Sequence, residues 1–174
     1  ERMWGGRFEE VARVTATDAL EVLDGVDSEG GRAVLIEAYR PGAGDDTPIR
    51  KAHFLDTVAA LAAFDHAQLG DVVFAGYDND RYFVVVSGAA CPSLAALLEA
   101  DPPPTQHCIR SVAVDLADLL VAAGHAGVVH GTLSAESVLV SDPGIQVIGW
   151  ATGALTRSSA SSTISASPPP ATTA

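Results

Sequence analysis

With 174 residues and 48% hydrophobic content, the chain holds enough apolar material for one modest domain or two small lobes. A formal net charge of −12 with no basic stripe argues against a nucleic-acid partner. No apolar run reaches the about 20 residues of a bilayer span, and no stretch of the sequence reads as a signal peptide. Cys91 and Cys108 have neither metal nor redox spacing and read as ordinary thiols of a reducing compartment. The opening on Glu1 rather than Met leads to the expectation of a piece of a longer protein, whose other parts can still carry a membrane anchor.

In chain order, 7–14 and 20–26 read as two strands around the polar connection Thr15–Ala19. Asp27–Gly31 is a turn by composition, and 33–39 is a strand rich in branched apolar residues. A polar loop, 41–48, leads to a helix over 49–64, in which Phe54, Val58, Leu61 and Phe64 recur at helical spacing. A hairpin follows, with strands 71–75 and 81–86 and its turn at 77–80.

Ser93 is placed to cap a short helix running to Glu99, and Asp101–Pro104 is a break. The long helix predicted over 105–123 carries Ile109, Val112, Leu116, Leu119 and Leu120 on one face. Strand 138–140 pairs with 145–148 across Asp142–Gly144. The Ser, Thr, Ala and Pro beyond 155 cannot bury enough apolar surface to offset their ordering entropy, so 156–174 is expected to be a disordered linker.

The stretch from Val128 to Val140, VVHGTLSAESVLV, carries the most information. It resembles the catalytic loop of Ser/Thr protein kinases, H-R-D-L-K-P-E-N followed by an apolar strand. His130, Leu133 and Glu136 match that pattern, whereas Thr132 stands for the base Asp, Ser134 for the Lys and Ser137 for the metal-binding Asn. Other landmarks fall in the same register. Phe54 stands at the Phe that opens the family's helix, His66 at the His that follows it, and Gly149-Trp150-Ala151 at the metal-binding D-F-G. The resemblance covers about Gly6 to Leu155. It implies an α+β, kinase-like two-lobe fold: an N-lobe over 1–88 with an antiparallel sheet and a helix, and a partial helical C-lobe over 89–155.

The same resemblance implies lost chemistry, since phosphoryl transfer depends on positioning and charge stabilisation. Glu37 replaces the ATP-anchoring Lys of V-A-I-K, in which attraction to phosphate becomes repulsion. The residue itself either points to solvent, pairs with a local Arg such as Arg40, or faces the phosphate position. The helix Glu that would hold the Lys is Thr57. The connection Thr15–Ala19 has no glycine for phosphate approach, and Asp18 adds negative charge, although an ordinary polar hairpin would read the same way. Thr132 cannot serve as a base at neutral pH. Ser137 and Gly149 offer Mg²⁺ no carboxylate, and Asp142 lies in a turn facing water. His130 is expected to be a structural hydrogen-bonding residue. Trp150 either fills the apolar seat of the family Phe or blocks the cleft. No catalytic residue, cofactor or metal site is therefore expected.

A finer resemblance is to the cytoplasmic pseudokinase region of the MviN-type lipid II flippases of mycobacteria and their relatives. It rests on H-G-x-L-x-x-E-S-V-L and on Ile148-Gly149-Trp150. It implies a regulatory binding module on the cytoplasmic side of the plasma membrane, in peptidoglycan synthesis. An upstream Ser/Thr protein kinase would phosphorylate a threonine there, and a forkhead-associated (FHA) domain protein would bind the phosphothreonine. Thr163, Thr172 and Thr173 are the candidates, in a segment that a plain solvated linker also explains. Two other readings stay open. One is an atypical phosphotransferase or weak nucleotide binder relying on Lys51, the chain's only lysine. The other is a scaffold domain of a different actinobacterial membrane protein. Without the rest of a kinase C-lobe, the apolar face of the long helix would be left exposed.

Overall fold

The computed structural model describes residues 2–40, 48–78, 80–141 and 144–152. Residues 41–47 of the predicted 41–48 loop, the Asn79 and Asp142–Pro143 turn positions and the tail with Thr163, Thr172 and Thr173 lie outside the described residues. Six strands make one sheet: β1 (Met3–Trp4), β2 (Phe8–Ala16), β3 (Leu20–Asp27), β4 (Ala33–Tyr39), β5 (Val72–Asp78) and β6 (Arg81–Ser87). Their order is β1-β2-β3-β4-β6-β5, antiparallel throughout. Strands β2 and β5 run beyond the predicted ends, because cross-strand pairing continues into positions whose local composition reads as turn.

The central strand β4 is buried on both faces, so its sequence shows a run of apolar residues rather than alternation. One face joins Leu23, Val34, Ile36, Ala38, Phe83 and Val85 to Trp4 and Phe8. The Gly5 amide donates to Asp78 Oδ2 at 3.0 Å, tying the β1 turn to the far edge strand. The sheet thereby curls over this first core. The other face carries Val22, Leu35, Tyr39, Tyr82, Val84 and Val86. Helix α1 (Pro48–Ala63) packs Phe54 and Val58 there.

Asp27 is 1% exposed at the end of β3 and takes two hydrogen bonds from the Arg7 guanidinium, at 2.8 and 2.7 Å. These hold its carboxyl down at about 2. Because the folded value is depressed, the pair's contribution to stability is complete above the ordinary carboxylate range and lost as pH falls through about 2. Urea midpoints of the wild type and Asp27→Asn are therefore expected to converge between about pH 4 and 2. A constant gap across that range would contradict this.

Beyond the sheet, Ser93 caps α2 (Leu94–Leu98) by accepting from Ala96 N, and Thr105 caps α3 (Gln106–His125) by accepting from Cys108 N. A short 3-10 turn, Ala135–Ser137, leads into the hairpin of β7 (Val138–Ser141) and β8 (Gly144–Val147). The register is Val138↔Val147 and Val140↔Ile145. Three bonds pin this hairpin to the sheet's connections: Val140 N to Pro92 O, Val147 N to Gln68 O, and Gln146 Nε2 to Ser87 O, all at 2.9–3.0 Å.

Helix α3 buries Val112, Leu119 and Ala123 against Leu61, Ile145, Val147 and Trp150. Two of its predicted core positions, Ile109 and Leu120, are instead 37% and 40% exposed. The hairpin covers less than the full apolar face, and a groove of about 420 Å³ runs between the two elements. No helix among the described residues is long and apolar enough to cross a membrane.

Candidate functional site

Side chains alternate across a strand, so Glu37 must share a face with Leu35 and Tyr39. That face turns toward α1 and the β7–β8 hairpin. Glu37 is 4% exposed, which overturns the readings that place it in solvent or on Arg40. Its Oε2 accepts from the Gly149 amide at 3.1 Å and from the Tyr39 hydroxyl. Burial pushes this carboxyl up to about 7, against the opposing pull of the Tyr39 and Gly149 bonds. At neutral pH the group is thus only partly ionised. The full negative charge expected from sequence at this position is therefore reduced.

Gly149 follows β8 with φ +85°, a conformation that side chains rarely adopt. A Cβ there would stand 3.0 Å from Leu20 Cδ2. Leu20 begins β3 and so reaches from the sheet onto the segment after β8. A side chain at this position would be strained by the backbone conformation, and Leu20 would have to give by a few tenths of an ångström.

His130 is 3% exposed. Its Nε2 donates to Ile148 O at 2.8 Å, which leaves Nδ1 to accept from Thr132 N at 3.4 Å. Burial lowers its pKa, partly offset by the Ile148 carbonyl. The His130 and Trp150 rings lie 4.9 Å apart. Trp150, 2% exposed, donates its indole N–H to Val147 O at 3.0 Å and packs with Leu61, Val112 and Leu119. Of the two roles open to it, the indole takes the apolar seat.

Among the positions read from sequence as degenerate, the fold brings Glu37 directly onto Gly149, and Ser134 Oγ within 3.3 Å of Ser137 Oγ. Thr132 is exposed and reaches this group only through His130. Thr57 is half-buried on α1, outside the bonds that Glu37 makes. Lys51 is exposed on the first turn of the same helix. Among the described residues no group of three or more His, Cys, Asp or Glu is placed to hold a metal ion.

Sequence reasoning missed two contributors. Tyr39 is fully buried and hydrogen-bonded to Glu37, a partnership that strand parity alone would have suggested. Val22 and Leu35 of the sheet form one buried cluster with Leu139 and Ile148, each at most 1% exposed. Apolar side chains thus fill the space between sheet and hairpin. Finding that cluster required the three-dimensional meeting of segments about a hundred residues apart.

No protein-family model and no curated protein matches the sequence. Among solved structures, the apo structure of the GRMZM2G135359 pseudokinase is similar, with a TM-score of 0.66 at 12% identity over 80% of this chain. The alignment takes in 53% of the pseudokinase, so the chain spans about half that neighbour's length. At this identity the likeness defines the fold. The chain has a kinase-like α+β fold, and this structural neighbour is a pseudokinase.

Proposed function

We propose that this chain is a catalytically inactive, kinase-like domain that acts as a regulatory binding module. The observation that carries the reading is the Glu37 carboxyl, which stands at the ATP-anchoring position and is engaged by Gly149 and Tyr39. Thr132 in place of the base, and Ser137 and Gly149 in place of the metal ligands, support it. On this reading the sheet with α1 is the N-lobe, and α2, α3 and the hairpin are a partial C-lobe.

The parent protein would be a plasma-membrane flippase for lipid II, with this domain on its cytoplasmic side. The support is the resemblance carried by His130-Gly131-x-Leu133-x-x-Glu136-Ser137-Val138-Leu139 and by Ile148-Gly149-Trp150. An upstream Ser/Thr kinase would modify Thr163, Thr172 or Thr173, and the phosphothreonine would recruit an FHA-domain protein.

Isothermal titration with ATP and Mg²⁺ is expected to give no binding heat. Saturable, metal-dependent ATP binding would defeat the inactive reading. An FHA-domain pull-down with phosphorylated and unphosphorylated chain separates the recruitment proposal: equal capture of both forms, or of neither, would remove it.

A further inference from the structure

Strand β8 carries Ile145-Gln146-Val147, one polar side chain between two branched apolar ones. Ile145 and Val147 pack into the cluster with α3. Alternation along the strand therefore turns Gln146 the other way, toward the sheet. Its Nε2 donates to Ser87 O at 2.9 Å. Because that acceptor is a carbonyl, the amide nitrogen rather than the oxygen must face it.

Two glycines make the seat. Gly70 precedes β5 and Gly88 follows β6, at the open end of that hairpin. Between them, Ser87 N donates to Asp71 O and Asp71 N to Ser87 Oγ, both at 2.8 Å. A Cβ at Gly70 would stand 2.4 Å from Gln146 Nε2 and 2.2 Å from Ser87 O. A Cβ at Gly88 would stand 2.4 Å from Gln146 Oε1, and its three nearest neighbours would all be atoms of the carboxamide. A methyl at 88 would thus displace the end of a flexible side chain, whereas one at 70 would also meet backbone.

The seat lies where the chain passes, once, from the sheet to α2, α3 and the β7–β8 hairpin, through 88–92. Gly88 opens this connection with φ +152°. At its far end Pro92 O accepts from Val140 N. Gln146 belongs to the part beyond the connection and bonds the last residue before it. A cavity of about 160 Å³ borders the side chain, lined also by Ala89, Cys91, Leu139 and Ser141. The carboxamide accordingly has free space next to its seat.

We propose that Gln146 is a hinge lock: seated against Gly70 and Gly88, its carboxamide fixes the 88–92 connection and the hairpin's orientation on the sheet, and its withdrawal into the adjoining cavity frees both. The glycines are what let a side chain from β8 come this close to two backbone segments. The lock does not depend on how the chain handles nucleotide, so its test and the ATP titration fail separately.

Hydrogen exchange on the full chain tests this. The reporters are the Val140 and Val147 amides, which bond Pro92 O and Gln68 O across the junction. In Gln146→Ala both are expected to exchange about ten-fold faster, with the β3–β4 ladder unchanged. Gly88→Ala is expected to speed the same two amides, and to do so several-fold less in the Gln146→Ala chain. The backbone strain of an alanine at 88 is common to both backgrounds, whereas the clash with the carboxamide is not. Unchanged exchange at Val140 and Val147 in Gln146→Ala would overturn the proposal. So would an equal rise throughout the β3–β4 ladder, which would make Gln146 a general stabiliser, or an equal effect of Gly88→Ala in the two backgrounds.

Discussion

Replacing Glu37 by lysine, the residue that the proposed reading assigns to this position in an active kinase, is expected to destabilise the domain by about 3–5 kcal/mol and to create no ATP site. An ammonium in that position loses the acceptor on which the Gly149 amide and the Tyr39 hydroxyl converge. It meets valines, two leucines and the Trp150 ring in place of a carboxylate. Burying an uncompensated charge is among the most costly single changes a fold can suffer. With a denaturant slope of roughly 1–3 kcal/mol per molar, the urea midpoint should fall by about 2 M. An unchanged midpoint would mean that the side chain escapes to water and that the Glu37–Gly149 bridge has little weight. Appearance of Mg²⁺-dependent ATP binding would show that a single residue, rather than the filled space between sheet and hairpin, excludes the nucleotide.

Trp150→Ala is expected to cost a similar about 3–5 kcal/mol. The indole joins three elements, contacting Leu61 of α1, the Val112 and Leu119 face of α3, and the β7–β8 hairpin. Truncation would leave a cavity at this junction and strip Val147 O of its indole donor. Trp150→Phe retains most of the volume and is expected to lose less than half as much. Chemical denaturation of the two variants makes the distinction. Equal losses would indicate that the N–H bond, and not the apolar contact, is what matters at this position.

The legibility of the chain followed from how local each signal was. The two helix caps, Ser93 and Thr105, lie within three residues of the amides they bond, and Ser93 was readable as a cap. The period of Phe54, Val58 and Leu61 located α1 to within a residue or so of its ends. The β7–β8 pairing followed from two apolar runs around a Pro-Gly turn. Helix α3 was legible as a helix, but not which of its apolar side chains would be covered. Periodicity selects a face, whereas burial depends on the area of the partner, and the hairpin shields Val112 and Leu119 without reaching Ile109 or Leu120.

Glu37 shows the same boundary at the candidate site. On the proposed reading, residue identity is what marks Lys, base and metal-ligand types as replaced at Glu37, Thr132, Ser137 and Gly149. The two-residue period of a strand, which the sequence reading did not apply, would also have placed Glu37 on the Leu35 and Tyr39 face. Local composition could not reveal that this carboxyl meets the amide of Gly149, 112 residues further on, in a pocket without counter-charge. A carboxyl's ionisation is set by the dielectric and the donors around it. Those are supplied here by α1, β5, β6 and the segment after β8, so only their assembly in three dimensions decided what this glutamate does.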